Sequence, residues 1–375
     1  MKNKVFICFL VGGLMISCMT GCQKRKDNVK TEDSQAVEVE TETTKAETDV
    51  KTPVDTHEGQ EKSLLTGEWI DEDIASKRPV AVMVENTKMA LPQYGLSNAD
   101  IIYECPVEGG ITRLMAIFQD YNNIKKIGNV RSCRHYFAYL AHDYDAIYFH
   151  AGASKYAYDG VLAENYIEDI DGITGVGGQY FFRDSNKKAP HNLYTASDMI
   201  SESISNMKWD TEYSKDYDGV FKFAEDDTEE NLTNGDDAKA IVMYYQNPKP
   251  WFEYNDETGL YDRFEFGNEQ IDGNTNTQIS VKNIIIQNCS SSIMDDVGRL
   301  DFKLFSSGTG KYISNGKCID ITWKRNSKDD VTHYYDKDKK EIVLNQGKTW
   351  IELVEDKYSS KNVIYSSKSE FQKKR

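Results

Sequence analysis

An apolar segment near the N-terminus constrains this chain more than any other feature. Lys2 and Lys4 make a short positive start, and Val5 to Met19 then form an apolar run. About fifteen apolar residues are too few to cross a bilayer comfortably, since a spanning helix needs ~20. A positive start followed by a short apolar core is typical of a secretory signal. We therefore expect residues 1–21 to be a signal peptide and the rest of the chain to be exported.

The segment that follows the apolar run resembles the lipobox of bacterial lipoproteins. It reads Met19-Thr20-Gly21-Cys22, with a small residue directly before a cysteine. In such proteins the cysteine thiol is acylated, and acyl chains such as palmitate hold the protein to a membrane that the polypeptide does not enter. We expect lipidation at Cys22, with Cys18 as the alternative, at the extracytoplasmic face of the cell membrane. An ordinary cleaved signal or a single anchor helix is the competing interpretation.

Residues 22–62 have the composition of a disordered acidic tether. They hold seven basic and eleven acidic side chains, a net charge of -4, and no aromatic residue. Such a stretch buries too little apolar surface to offset its ordering entropy. The whole chain has 375 residues, a formal charge of -16 and 11% aromatic residues. The acid excess argues against nucleic-acid binding, and the aromatic content predicts a folded remainder.

Strand and helix patterns alternate over the first part of that remainder, and strands dominate the second part. Pro79 to Val84 and Ile101 to Cys105 are typical of buried strands, whereas Ser132 to His142 and Ser154 to Tyr166 predict helices. We predict an α+β fold, an N-terminal α/β layered domain followed by a mostly antiparallel β domain. The predicted segments after the tether are an α/β domain (63–224), a linker (225–237), a β-rich domain (238–358) and a polar C-terminal tail (359–375).

Five blocks of sequence together resemble one known family. They are residues 78–86, 97–114, 128–132, 189–194 and 344–351. In this order they are similar to the YerB-like lipoproteins of Gram-positive bacteria, and the resemblance covers about residues 70–356. It implies a membrane-anchored surface protein of two domains, the first α/β and the second mostly β. It implies no particular reaction, because the family has no assigned activity.

Arg131 and Arg134 are the most informative charged residues, because they flank the predicted helix start at Ser132. A helix N-terminus carries partial positive charge, so two guanidinium groups there need an offsetting negative charge. Arginine forms planar, bidentate contacts with carboxylates and phosphates. The pattern predicts either a site for an anionic ligand or a structural ion-pair network. The residues that could complete either arrangement are Glu104, Glu108, Asp145, Arg113 and Arg183.

Two histidines lie where α/β proteins often carry binding residues. His150 ends a predicted strand, and His191 lies with Asn192 in a loop before a predicted helix. Paired with Glu104 or Glu108, His191 could act as a general base. His191 and Glu108 are therefore the catalytic candidates. Histidines held in place by structural hydrogen bonds are the alternative.

Other residue types give weaker signals. Four cysteines follow the signal without a CxxC pair, so we expect buried free thiols rather than a metal or redox site, with two disulfides or a nucleophilic Cys133 as alternatives. The Gly-rich residues 172–178 lack the pattern of a phosphate-binding loop, and we expect a flexible loop there. Clustered tyrosines could stack on sugar rings or simply pack in the core. These tyrosines are Tyr136, Tyr139, Tyr144, Tyr148, Tyr156 and Tyr158.

These patterns favour a lipoprotein that binds an envelope polymer or a protein partner through the N-terminal domain. The expected ligand-binding residues are Glu104, Arg113, Arg131, Arg134, His150, Arg183, His191 and Asn192. We expect no cofactor, no metal and no nucleic-acid partner. A hydrolase or transferase acting on envelope polymers is one alternative, and a non-catalytic scaffold is the other. Whether the chain is an enzyme stays open at this point.

Overall fold

The computed structural model describes residues 57–226 and 228–374, which belong to one compact unit, Asp55–Arg375. The predicted signal peptide, both candidate lipidation cysteines and the tether as far as residue 56 lie outside the described residues. Within the described ranges, no helix combines the length and apolar character needed to cross a membrane.

The described chain consists mainly of strands. The first ten are β1 (Gln60–Lys62), β2 (Trp69–Asp71), β3 (Val80–Asn86), β4 (Ile101–Pro106), β5 (Thr112–Phe118), β6 (Ile127–Gly128), β7 (Ile147–His150), β8 (Asp169–Asp171), β9 (Phe182–Arg183) and β10 (Leu193–Thr195). The next eight are β11 (Lys222–Phe223), β12 (Asp236–Asp237), β13 (Ala240–Val242), β14 (Trp251–Asn255), β15 (Leu260–Glu265), β16 (Asn268–Glu269), β17 (Ser280–Val281) and β18 (Asn283–Cys289). The last eight are β19 (Ser291–Ile293), β20 (Leu300–Phe302), β21 (Ser307–Ser314), β22 (Lys317–Lys324), β23 (His333–Tyr335), β24 (Val343–Leu344), β25 (Thr349–Glu355) and β26 (Val363–Tyr365).

Helices are few and mostly short. The α-helices are α1 (Glu72–Ala75), α2 (His135–His142), α3 (Lys155–Tyr158), α4 (Ser197–Met207) and α5 (Lys368–Lys374). Short 3₁₀ helices span Leu96–Asn98, Glu108–Gly110, Gly177–Tyr180 and Asp356–Lys361. The predicted α+β class is confirmed, with strands in the majority.

One sheet of eleven strands joins the two halves of the chain. Its order is β12-β22-β21-β18-β25-β4-β5-β3-β7-β8, and β23 pairs with the outer side of β22. The halves meet where β25 pairs in parallel with β4, with Thr349 opposite Ile101. β18, β25, β4, β3, β7 and β8 run in one direction, and β5 runs against them. The carboxyl ends of six strands therefore lie along one edge of the sheet.

The central strands are buried on both faces, which is why they read as continuous apolar runs. Along β3, Ala81 and Met83 enter one core, while Val80, Val82 and Val84 enter the other. This period of two follows from strand geometry. Every strand of the central sheet therefore delivers alternate side chains to two different environments.

Different elements cover the two faces. On the face that Met83 occupies, helix α2 packs Tyr136, Phe137 and Leu140 into the core. On the other face lies a six-stranded sheet of order β16-β15-β14-β13-β26, in which β17 also pairs with β15. Phe252 of that sheet packs into the same core as Val82. The first face is therefore closed by a helix and the second by a sheet.

Several segments differ from their predicted form. The helix expected from Ser154 to Tyr166 ends at Tyr158, close to Gly160, a residue that disfavours helix. Within the predicted linker, Asp236 and Asp237 form β12 at the edge of the large sheet. The predicted polar tail contains β26 and α5, which buries Phe371. Local composition misses these segments because their apolar partners are remote in sequence.

Candidate functional site

Six side chains gather at the carboxyl end of β3, on the face that carries α2. We call them the arginine cluster: Glu85, Glu108, Arg113, Arg131, Arg134 and His191. Glu85 of β3 lies directly opposite Arg113 of β5 in the sheet register. The segment that carries Arg131 runs beside β3, because its amide donates to the Met83 carbonyl at 3.0 Å. Residues far apart in sequence are thus brought together by the end of one strand.

Glu108 and Arg134 form the strongest ion pair of the cluster. Arg134 Nε donates to Glu108 Oε2 at 2.9 Å, and Arg134 Nη2 donates to the other carboxylate oxygen. Burial opposes ionisation of Glu108, but the hydrogen bonds and charge of Arg134 outweigh it and lower the pKa of this carboxyl. Arg134 therefore fits the ion-pair alternative, with Glu108 as its partner.

Arg113 has no close carboxylate of its own among the described residues. Its nearest acidic oxygen is Glu108 Oε1, at 3.9 Å, and its Nη1 donates to the Ser132 carbonyl at 2.6 Å. Burial, together with the positive charges of Arg134 and Arg131, lowers the pKa of Arg113 to about 10. Positive charge is therefore crowded here.

Arg131 and His191 share the carboxylate of Glu85. His191 Nδ1 lies 2.6 Å from Glu85 Oε1, which also accepts from the Thr87 hydroxyl at 2.8 Å. Arg131 Nε lies 3.9 Å from Glu85 Oε2, and Arg131 Nη1 donates to the Pro190 carbonyl at 3.3 Å. Glu85 Oε2 is buried and accepts no hydrogen bond from the described residues. Arg131, like Arg113, thus has its nearest carboxylate oxygen at 3.9 Å, and it is the more exposed of these two guanidinium groups.

The imidazole of His191 is held at one nitrogen and open at the other. Its side chain is 26% exposed, whereas that of Glu85 is 2% exposed. Among the described residues no group bonds to Nε2 of His191. A carboxylate that fixes Nδ1 and leaves Nε2 open orients a histidine for proton transfer. This arrangement is compatible with binding an anion or with acid–base chemistry.

Four of the expected ligand-binding residues lie outside the arginine cluster. His150 is fully buried, and its nitrogens contact the Gly152 carbonyl at 3.0 Å and Asp169 at 2.9 Å. Arg183 donates to Asn192 at 2.8 Å within their own loop. Glu104 lies on the face of the central sheet opposite the arginine cluster. His150 is therefore a structural histidine, and Arg183 and Asn192 stabilise the loop that presents His191.

A second group of charged side chains lies against the opposite face of the central sheet. We call it the sealed cluster: Glu104, Arg263, Glu265 and Glu352, none of them more than 1% exposed. Arg263 of β15 donates to Glu352 at 3.1 Å and to Glu104. Its guanidinium carbon lies 4.5 Å and 4.4 Å from the ring centroids of Phe252 and Trp350. One guanidinium thus pairs with two carboxyl groups away from water, and Glu265 lies beside them.

Neutral groups complete the sealed cluster. Asn86 donates to Glu104 at 3.1 Å and to Glu265 at 2.6 Å, and the Tyr245 hydroxyl donates to Glu352 at 2.6 Å. Burial raises the pKa of Glu104, raises that of Glu265 well above its usual range, and raises that of Glu352 to about 8. The cluster therefore retains protons at neutral pH.

Three members of the sealed cluster are absent from the residues expected on sequence grounds. Arg263 and Glu265 lie on the inward side of β15, although Leu260 and Phe264 make the other side look more apolar. Glu352 is the single charged residue in an otherwise apolar stretch, Trp350 to Val354. A single carboxylate inside a continuous apolar strand is the sequence signal by which Glu352 could have been recognised.

The remaining candidates have structural surroundings. Cys105, Cys133, Cys289 and Cys318 are free and buried, as expected. Burial raises the pKa of Cys133 to about 12, so its thiol is not an activated nucleophile at neutral pH. Tyr136, Tyr144 and Tyr148 are fully buried, which fits the packing alternative. Across residues 57–226 and 228–374, no group of three or more His, Cys, Asp or Glu side chains is arranged to hold a metal ion.

Comparisons with known proteins agree on one family. Residues 65–210 match the family described as protein of unknown function (DUF3048), N-terminal domain, and residues 240–351 match the C-terminal domain of the same description. A Bacillus subtilis (strain 168) protein named as a lipoprotein, YerB, is 33% identical over 310 residues, which is 79% of this chain and 86% of that protein. The crystal structure of YerB from Bacillus subtilis matches with a TM-score of 0.72 at 30% identity, over 81% of this chain and 99% of the solved one.

Proposed function

We propose that this chain, which belongs to the YerB-like DUF3048 family, is a lipid-anchored protein of the extracytoplasmic membrane face that binds an anionic group of an envelope ligand. The anchor is the acylated Cys22, and the arginine cluster is the binding site. A relative that is named as a lipoprotein supports the first half of this proposal. The geometry of the cluster supports the second half.

The observation that carries the binding proposal is the charge balance of the arginine cluster. Three guanidinium groups face two carboxylates, which leaves a formal charge of +1 while His191 is neutral. Arg134 has a bidentate carboxylate partner, whereas the pKa of Arg113 is lowered by burial and by its cationic neighbours. A carboxylate or phosphate placed beside Arg131 would relieve that repulsion and gain charge-assisted hydrogen bonds.

The overall charge of the protein makes this site selective. The chain carries a formal charge of -16, so its average surface repels anionic polymers. Attraction is restricted to the local field of the cluster, where Arg131 keeps 22% of its side chain exposed. The proposal therefore concerns one anionic group on a ligand rather than adhesion of a polyanion over a wide surface.

Binding of a muramyl peptide from the cell wall tests the proposal directly. Full-length protein in mild detergent is titrated by calorimetry, with inorganic phosphate as a second probe that separates a wall fragment from a free anion. We expect Arg131→Ala to weaken binding by about tenfold, because one charge-assisted contact is lost.

Lys222→Ala provides the matched control, since it removes a partly exposed cation paired with Glu341 at 2.6 Å outside the cluster. This control is expected to bind as tightly as wild type. Equal affinity of the Arg131→Ala variant and the wild type for both probes would rule out the anionic site.

A second function is favoured by the Glu85–His191 pair. A buried carboxylate orients the imidazole through one oxygen, and Arg131 lies near the other oxygen of the same carboxylate. In an enzyme acting on envelope polymers, His191 would accept a proton from water or a hydroxyl, and Arg131 would stabilise the developing negative charge.

The enzyme candidate has its own experiment. Release of soluble fragments from purified envelope polymer is followed by chromatography for wild type, His191→Ala and Glu85→Gln. Turnover by wild type that falls at least a hundredfold in His191→Ala, with muramyl peptide binding retained, would establish catalysis. Absence of turnover in wild type would leave ligand binding as the function.

A further inference from the structure

A groove of about 320 Å³ lies next to the arginine cluster and shares one turn with it. The shared turn is the 3₁₀ helix Glu108–Gly110. The Glu108 carboxylate bonds to Arg134, whereas Gly109 and Gly110 line the groove. Its volume is at the lower end of the range for small-molecule sites. The groove is thus a separate cavity that touches the proposed anion site through this turn.

Two tyrosines give the groove an aromatic wall. The rings of Tyr244 and Tyr358 lie 5.3 Å apart between centroids at an interplanar angle of 54°, and both are half-buried. Lys361 Nζ lies 4.3 Å from the centroid of Tyr244 and 4.9 Å from that of Tyr358. This ammonium group does not line the groove, so it holds the two rings in place without filling the space.

The rest of the lining mixes apolar and polar groups. Ile293 is 66% exposed at one side, and a side chain added at Gly109 would meet no atom within 4 Å. Gln246 Nε2 donates to the Tyr358 hydroxyl at 3.4 Å, and Lys357 pairs with Glu355 at 2.8 Å. Aromatic faces flanked by amide, carboxylate and ammonium groups suit a molecule with an apolar face and a polar circumference.

We propose that this groove binds the sugar rings of a glycan, with Tyr244 and Tyr358 as the stacking surface. A pyranose ring places its C–H groups on an aromatic face and directs its hydroxyls to the side, where Gln246 and Glu355 lie. Recognition of a neutral sugar does not require the arginine cluster. A glycan that also carries a carboxylate would reach both sites, because they meet at the turn Glu108–Gly110.

The neutral trisaccharide of N-acetylglucosamine is the probe, and binding to full-length protein in detergent is followed by saturation-transfer NMR and titration. We expect binding that Tyr358→Ala weakens by about tenfold and that Tyr358→Phe preserves, because the ring supplies the stacking. Arg131→Ala should leave it unchanged, which separates failure of this proposal from failure of the anionic site.

Tyr254→Ala is the matched control. Tyr254 is also half-buried and has an ammonium group over its ring, Lys239 Nζ at 4.1 Å, but it does not line the groove. Thermal unfolding establishes that each variant is folded, and Tyr244→Phe replaces Tyr358→Phe if Tyr358 variants are unstable. No saturation transfer to wild type, equal weakening by Tyr254→Ala, or displacement of the sugar by a neutral tetrapeptide would each overturn the proposal.

Discussion

The arginine cluster and the sealed cluster lie against opposite faces of the central sheet and differ in their access to water. Glu85 and Asn86 are neighbours on β3, and Glu104 and Cys105 are neighbours on β4. Because strand side chains alternate, Glu85 enters the arginine cluster while Asn86 and Glu104 enter the sealed one. A shift of one residue along a strand thus separates a partly open site from a closed network.

The charge balance of the two clusters is opposite. The arginine cluster has three guanidinium groups and two carboxylates, whereas the sealed cluster has one guanidinium and three carboxyl groups. Water can screen the first, where Arg131 and His191 are about one quarter exposed. In the sealed cluster, the negative charge of the carboxyl groups is reduced only by bound protons and by hydrogen bonds from neutral donors such as Asn86 and Tyr245. The second cluster holds the two sheets together, and the first, which water reaches, is the one for which we propose a ligand.

The largest expected effect is the loss of Arg263. Replacing it with methionine leaves Glu104, Glu265 and Glu352 without the cation that they share, so we expect destabilisation by about 3–5 kcal/mol, as is usual for breaking a buried ion pair. Urea unfolding at neutral pH measures this change.

The matching change in the other cluster is Arg131→Met, for which we expect a loss of less than ~1 kcal/mol, because Arg131 is partly exposed and Glu85 keeps its contacts with His191 and Thr87. If Arg131→Met and Arg263→Met reduced the free energy of unfolding by similar amounts, the distinction between an open and a sealed cluster would be wrong.

A smaller effect should appear in the pH dependence of stability. The pKa of Glu352 is about 8 in the folded protein against an ordinary 4.5, so the folded state binds a proton that the unfolded chain lacks between these values. Its contribution to stability is complete below about pH 4.5 and is lost as the pH rises through about 8.

Urea unfolding at several pH values between about 5 and 8 checks this expectation. Glu352→Gln keeps one acceptor oxygen and has no titrating proton, so it should flatten the decline with rising pH, by about 3 kcal/mol over the range. The other titratable groups facing Glu352 are Glu104, Glu265, Arg263 and Tyr245. A decline that is equally steep in the variant would assign the proton to another member of the cluster.

The smaller of the two pH-dependent effects has the opposite sign and belongs to Glu108. Its folded-state pKa is lowered, because Arg134 outweighs the effect of burial, so its contribution to stability is present above about pH 4.5 and is lost as the pH falls through the folded value. Glu108→Gln should remove about 1 kcal/mol at neutral pH and reduce the loss on acidification. Acid unfolding followed by circular dichroism measures this change in stability. A steeper loss of stability with falling pH in the variant than in the wild type would contradict the prediction.

Much of the fold could be predicted because strand patterns are local. The strands expected at Pro79 to Val84 and Ile101 to Cys105, and the strand expected to end at His150, are present as β3, β4 and β7. The order of the sheet could not be predicted in the same way. Pairing of β25 with β4 joins residues about 250 positions apart, and no local pattern specifies it.

The candidate sites could be predicted in part for the same reason. Arg131 and Arg134 stand close in sequence, so their charges by themselves indicate nearby negative charge, but they did not select Glu108 over Glu104 or Asp145. Glu85 could not be recognised as the partner of His191, because it sits in a strand whose other residues look purely structural. Arg183 and His150 carry similar sequence signals but lie with other partners.

The sequence alone predicts an export signal and an acylated cysteine, and it determined the acidic composition and the positions of most central strands, since each depends on neighbouring residues. Only the tertiary structure decided which charged side chains meet and which of them reach water. Arg263, Glu265 and Glu352 come from remote strands that the two sheets press together. The reason is physical: burial and pairing of charges are properties of packed surfaces, and the chain acquires these surfaces only when it folds.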